Sequence, residues 1–189
     1  MRIRFVTTNA GKLGEARARL EPLGFDVRPH STRPVEIQAD TLEAVARHKA
    51  KSVRGRTPAP FFVEDAGLFV DRLHGFPGVY SRHAFDTLGC TGILRLLEGV
   101  RGKGRAAEFR AVVALADGPG RLRTFTGAVR GRITLRARGR QGFGFDPIFE
   151  PAGLGRTFAQ LAPQEKGRWS HRGRALDALA RYLAAKGRV

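Results

Sequence analysis

A chain of 189 residues with 42% hydrophobic residues is long enough for one well-buried core and too apolar for general disorder. Its formal net charge of +17 asks for polyanionic partners or reflects compositional bias, and the 28 Arg against 6 Lys, spread through every segment, point at least in part to bias. A single Cys excludes an internal disulfide framework and cannot alone form a zinc site; no apolar run nears the twenty or so residues of a membrane span, and the start MRIRFVTT is too soon polar for a signal peptide.

These bounds lead us to expect one domain over residues 1–189, cytoplasmic and without membrane contact. RIRFVT (2–7) predicts a buried strand, followed by a helix from about Gly11 to Glu21 with Leu13, Ala16 and Leu20 at helical spacing. GFDVRP (24–29) adds a short strand. The segment 40–55 predicts a helix with Leu42, Val45, Ala46 and Ala50 on one face and Gly55 at its end. PFFVED (60–65) reads as a buried strand ending in two acids, and a turn-rich stretch through Ser81 separates it from a helix over 87–100. AEFRAVVALAD and LRTFTGAVRGRI alternate as paired strands across a DGPG turn. A basic, Gly-rich loop (137–145) leads to DPIF, and a helix capped by Ser170, with a Leu176, Leu179, Ala180, Leu183 stripe, closes the chain.

Asn9 is the only asparagine in the sequence and sits in VTTNAGKLGE between the first strand and helix. A P-loop is excluded, because Leu13 follows Lys12 and Val6 stands five positions before Gly11. Thr7 and Asn9, the amides opening the helix, and Lys12 one turn inside could together bind an anion. The same residues also fit a plain helix cap with Lys12 in solvent. Glu64 and Asp65 end an otherwise apolar strand, where charge is costly unless paired or bound to a cation, and Glu36 lies in the loop PVEIQ. Three acids beside an anion turn describe a magnesium-triphosphate site if they converge in space; taken singly, each also fits a solvated residue at a loop end. Phe143 and Phe145 can each offer a ring face to a base, with Asp146, His171 and Arg172 offering hydrogen bonds to its edge; each Phe alone also fits a core position, and Ser170-His171-Arg172 a capped helix start.

Six motifs in order, TTNAGK (7–12), PVEIQADTLEAVA (34–46), VEDAGLFVDRLHGFPGVYS (63–81), GFGFDPIF (142–149), TFAQLAPQEK (157–166) and SHRGRAL (170–176), resemble the inosine triphosphate pyrophosphatase family over essentially the whole chain. The EIQAD and GFPGVYS forms look most like its archaeal branch. The resemblance implies an α/β fold, an elongated, twisted mixed β-sheet flanked by helices in two lobes with the nucleotide in the cleft, and a homodimer. It implies Mg²⁺-dependent hydrolysis of non-standard purine nucleoside triphosphates (ITP, dITP, XTP) to monophosphate and pyrophosphate. Thr7, Asn9 and Lys12 would hold the triphosphate, Glu36 and Asp65 the metal, and Asp65 would also accept a proton from the attacking water, with Glu64 a possible further ligand. Phe143 would stack on the base, with Asp146, Lys166, His171 and Arg172 around its edge and the sugar-phosphate. Thr8, Ala10, Gly11, Ala66, Gly144 and Phe145 complete the substrate site that the resemblance implies.

Two departures stand out: Ala66 follows Asp65 where the family commonly has Ser, and Gln160 stands where Glu is frequent. Two other readings remain at this point. A Maf-like pyrophosphatase would share the fold but differ in its opening turn and lack the SHR element; a basic nucleic-acid binder without catalysis rests on charge alone. Under the enzymatic reading nucleic acid is not required.

Overall fold

The computed structural model describes residues 1–186. One six-stranded sheet organises them in the order β2-β1-β3-β4-β5-β6, with β1 (Arg2–Val6) parallel to β2 (Asp26–His30) and β3 (Phe61–Val70). β4 (Ala106–Gly118), β5 (Arg121–Ile133) and β6 (Phe149–Pro151) continue it as antiparallel neighbours. Both connections between parallel strands carry a helix, as a parallel crossover requires: α1 (Ala10–Leu20) after β1 and α2 (Leu42–Val53) after β2. The mixed sheet flanked by helices is the α/β arrangement that the motifs imply.

Side-chain alternation on β3 divides the core between the two sheet faces. Phe62 packs with Phe5, α1 and the C-terminal helix α5 (His171–Lys186), whereas Phe61 and Val63 pack with α2. Phe5 and Phe62 stack at 4.3 Å between centroids. A third cluster, including Leu68, Val70, Ile93, Phe149 and Phe158, gathers the far ends of the long strands against α3 (Ser81–Leu96). The long strands thus carry two lobes. Gly127 on β5 lets α5 sit directly on the sheet, since a Cβ there would lie 2.1 Å from the His171 carbonyl oxygen.

Four boundaries differ from the sequence expectation. β3 runs on to Val70 through the stretch read as turn, because each of its residues from Phe61 to Val70 finds a partner on β4. The third helix begins at Ser81, six residues early; Ser81 Oγ accepts from the Leu68 amide and donates to the Gly78 carbonyl, tying the start of α3 to β3. Gly89 interrupts that helix with φ 61°, which hides its periodicity from a sequence reading, and the helix ends at Leu96. Pro163–Trp169 forms a short helix α4, absent from the expectation because its apolar positions are too few to set a period.

Candidate active site

β1 stops at Val6 while its neighbour β3 continues to Val70. Extending their parallel register from the Phe5–Phe62 pair sets the turn after β1 beside Glu64 and Asp65. Asn9 caps α1 there: its Oδ1 accepts the Lys12 amide at 3.0 Å, and its own amide donates to Thr7 Oγ1 at 3.1 Å. The cap reading is therefore correct for Asn9, whose Nδ2 is left to donate elsewhere. It fails for Lys12, whose side chain is 19% exposed and whose Nζ lies 2.7 Å from Glu64 Oε2.

Successive residues of a strand face opposite sides, and this separates the two acids. Asp65 points toward α2, where its Oδ1 accepts from Lys49 Nζ at 2.6 Å, and the same ammonium lies 2.8 Å from Glu36 Oε1. Burial pushes the Asp65 carboxyl above the usual range, while Lys49 and Lys12 pull it back. Burial also acts to raise Glu36, but its hydrogen bond and attraction to Lys49 win, and its carboxyl is held below the usual range.

Glu64 points the other way into a buried ionic network. Its Oε1 accepts from Arg172 Nε at 3.1 Å, and Arg172 Nη1 donates to Glu15 Oε2 at 2.5 Å. Lys166 Nζ donates to Glu15 Oε1 at 2.6 Å and to Asp146 Oδ2 at 2.5 Å. Burial alone would raise the Glu15 and Glu64 carboxyls, yet the adjacent cations hold both below the usual range. Glu64, considered above as an extra metal ligand, is instead committed to Arg172 and Lys12.

Asp146 is likewise committed. Its Oδ2 also accepts the Phe143 amide at 2.8 Å, so this oxygen holds the aromatic loop while the residue still lines the cavity. Phe143 lies against Gly11, where a Cβ would come within 2.6 Å of the ring, and the Lys166 ammonium and Arg172 guanidinium lie 4.7 and 5.3 Å from its centroid. Phe145 corrects the expectation of a second stacking ring. It is buried, edge-on to Phe85 at 5.3 Å, because the short turn Asp146–Ile148 carries it into the core; it anchors the loop. The Cys90 thiol, pushed up to about 11 by burial and by Asp146, donates to the Gly144 carbonyl from the other side. His171 stacks on Phe109 at 4.6 Å and its Nδ1 has no partner among the described residues. Burial, then Arg172 and Lys166, drive its pKa well below the ordinary value, so the ring is neutral.

Thr7, Thr8, Asn9, Lys12, Glu36, Asp65, Ala66, Phe143, Gly144, Phe145, Asp146, Lys166, His171 and Arg172 line one cavity of about 970 Å³, with Ala10 and Gly11 in the helical turn behind it. The two residues that sequence reasoning missed are Lys49 and Glu15. A signal for Lys49 was present: Leu42, Val45, Ala46, Lys49, Ala50 and Val53 form one helical face, so a charge stands in an apolar stripe. The Gln160 departure costs no contact, since its Oε1 accepts the Thr157 amide at 3.0 Å in a capping box.

The fold and cavity define an α/β protein with a cleft that carries Lys12 and the start of α1 at one end and the Phe143 ring at the other. Residues 3–182 match the model of the Ham1 family, and the chain belongs to it. It is 52% identical to a dITP/XTP pyrophosphatase of Thermococcus kodakarensis over 97% of each chain, and 45% identical to a dITP/XTP pyrophosphatase of Methanopyrus kandleri over 96% of each. Among solved structures it is similar to the Ham1 protein of Staphylococcus aureus (TM-score 0.83, 27% identity, 98% of this chain and 100% of that one). A HAM1 protein of Coxiella burnetii gives a TM-score of 0.80 at 32% identity, over 98% and 99% of the two chains.

Proposed function

We propose that residues 1–189 form one nucleoside triphosphate pyrophosphatase domain that hydrolyses dITP, XTP and ITP to the monophosphate and pyrophosphate with Mg²⁺. The observation that carries this reading is the single cavity in which an anion turn, a carboxylate pair and an aromatic base platform meet. The names of the archaeal relatives supply the substrate class.

Glu36 and Asp65 suit a hard divalent cation: both are oxygen donors, and both already converge on one cation, the Lys49 ammonium. Among the described residues there is no group of three or more His, Cys, Asp or Glu that could hold a metal. The remaining oxygens would come from the nucleotide, as is usual for magnesium. When bound, Mg²⁺ would supply charge neutralisation on the phosphates.

Asp65 accepts the proton of a water that attacks the α-phosphorus as the bond to the α–β bridging oxygen breaks and pyrophosphate leaves. Lys12, Asn9 Nδ2 and the amides opening α1 bind phosphate oxygens and stabilise their developing charge. Phe143 stacks on the purine. Arg172 Nε and Nη1 are tied to carboxylates, which leaves Nη2, without a partner among the described residues, to donate to the 6-keto oxygen of hypoxanthine or xanthine. The 6-amino group of adenine would face it donor to donor, which costs about 1 to 3 kcal/mol for each buried group left unpaired.

Homodimerisation and a cytoplasmic setting belong to the same reading. Exposed Phe76, Tyr80, Leu88 and Leu96, all within residues 76–96, supply apolar surface for a second copy, and no helix among the described residues is long and apolar enough to cross a membrane. The direct assay measures the products formed from dITP, XTP and ITP with and without Mg²⁺. Magnesium-dependent pyrophosphate and monophosphate are expected; orthophosphate and a diphosphate would contradict the proposed bond cleavage.

A further inference from the structure

Lys49 stands where the proposed metal ligands meet. It is 6% exposed on the apolar face of α2, and its Nζ is within 2.8 Å of Glu36 Oε1 and 2.6 Å of Asp65 Oδ1. A magnesium ion takes carboxylate oxygens at about 2.0–2.1 Å in a strict octahedron. An ammonium held by the same carboxylates repels a divalent cation at such separations and so weakens its binding there. Metal binding to this pair is therefore opposed while Lys49 stands against it, and favoured once Lys49 withdraws.

We propose that Lys49 is an internal counter-cation of the Glu36–Asp65 pair, which keeps divalent metal off these carboxylates until a triphosphate enters and draws the ammonium away. The inference rests on the reading of the cavity as a magnesium-nucleotide site. Metal then arrives with the nucleotide rather than before it.

Three features of the site support this role. Asp65 is 13% exposed on a strand whose neighbouring residues are mostly buried, and without Lys49 its charge would lose its only hydrogen-bonded cation among the described residues. Glu36 comes from a loop, with its side chain 68% exposed, and the ammonium is the cation that draws it to Asp65. Lys49 also lines the cavity, so an incoming polyphosphate offers it a new anion as it gives up the old pair.

The test is a Mn²⁺ titration of the protein without nucleotide, followed by the free-ion electron paramagnetic resonance signal, in wild type, Lys49→Met and Lys49→Gln. Wild type is expected to bind weakly and both variants at least tenfold more tightly, with the gain abolished when Asp65→Asn is added. Unchanged or weaker binding in the variants overturns the proposal. Should neither fold, Glu36→Gln, at an exposed position, decides it. Its Mn²⁺ affinity should match wild type within twofold, since the pair is not open to metal, and a tenfold loss would overturn the inference. Pyrophosphate release by wild type in Mg²⁺ separates the two claims. Without release, the magnesium-nucleotide reading falls and the inference falls with it; release with no change in Mn²⁺ affinity removes the Lys49 inference alone.

Discussion

The two ends of the cavity are built differently. At the base end, Arg172, Lys166, Glu64 and Asp146 have side chains no more than 4% exposed, each charge tied to a partner on another element. At the proposed phosphate end, Lys12 is 19% exposed and Glu36 68% exposed, Lys49 and Asp65 are more buried at 8% and 13%, and the pairs join a helix side chain to a loop or to the middle of β3. A buried, fully paired network resists movement because any broken pair leaves an uncompensated charge; a part-exposed pair can exchange partners at little cost. On the proposed reading, the base end is a fixed gauge for a ring, and the phosphate end holds the more exposed charges that would regroup around a polyanion and metal.

The largest expected effect breaks the chemistry without touching the gauge. Asp65→Asn should lower kcat by about 10²- to 10⁴-fold, the range for removing a general base, while its thermal melt stays cooperative. Near-normal turnover would remove Asp65 from its role. Next, the contrast in rigidity predicts unequal stability costs. Arg172→Ala leaves Glu15 and Glu64 short of a partner and should cost about 3–5 kcal/mol in urea unfolding. Glu36→Gln, at its exposed position, should stay within about 0.5 kcal/mol of wild type. Equal losses would erase the distinction between the two ends.

A smaller effect sharpens the comparison through pH. His171 sits neutral in the base end with a pKa lowered by burial and neighbouring cations, so below about pH 6.5 the unfolded chain binds a proton that the folded protein refuses. Stability should fall by up to about 1.4 kcal/mol for each pH unit below that value until the folded pKa is reached. Urea melts at pH 6.5 and 5.5 should show that loss reduced by about 1 kcal/mol in His171→Gln, and an unchanged slope would mean that the ring is protonated in the fold.

The same division explains what could be read from the sequence. The strand-turn-helix around Asn9, the β4–β5 hairpin and the Ser170 cap were legible because each is set by local spacing; Ser170 Oγ accepts the Gly173 amide at 2.9 Å. The motif residues were legible as a set, and all but the two behind the turn line one cavity. Which of them face a ligand was not, because that depends on tertiary pairing. Glu64 and Asp146 look like free acids until Arg172 and Lys166 are brought from α5 and α4, more than 100 and 20 residues along the chain for the respective pairs. Glu15 reads as one more charge on a helix surface until the same two cations close on it. The extension of β3 depends on β4 offering a partner as far as Ala107, which no local signal carries.

The most direct test of this account measures kcat/KM for dITP and dATP in wild type, Lys12→Ala and Arg172→Lys. If the base end selects and the phosphate end only binds and reacts, Lys12→Ala should lower both values together and leave their ratio unchanged. Arg172→Lys, which retains charge but loses the planar fork, should lower dITP turnover selectively and reduce the ratio by about ten- to hundredfold. A ratio that shifts in Lys12→Ala and holds in Arg172→Lys would contradict the division of labour between the two ends.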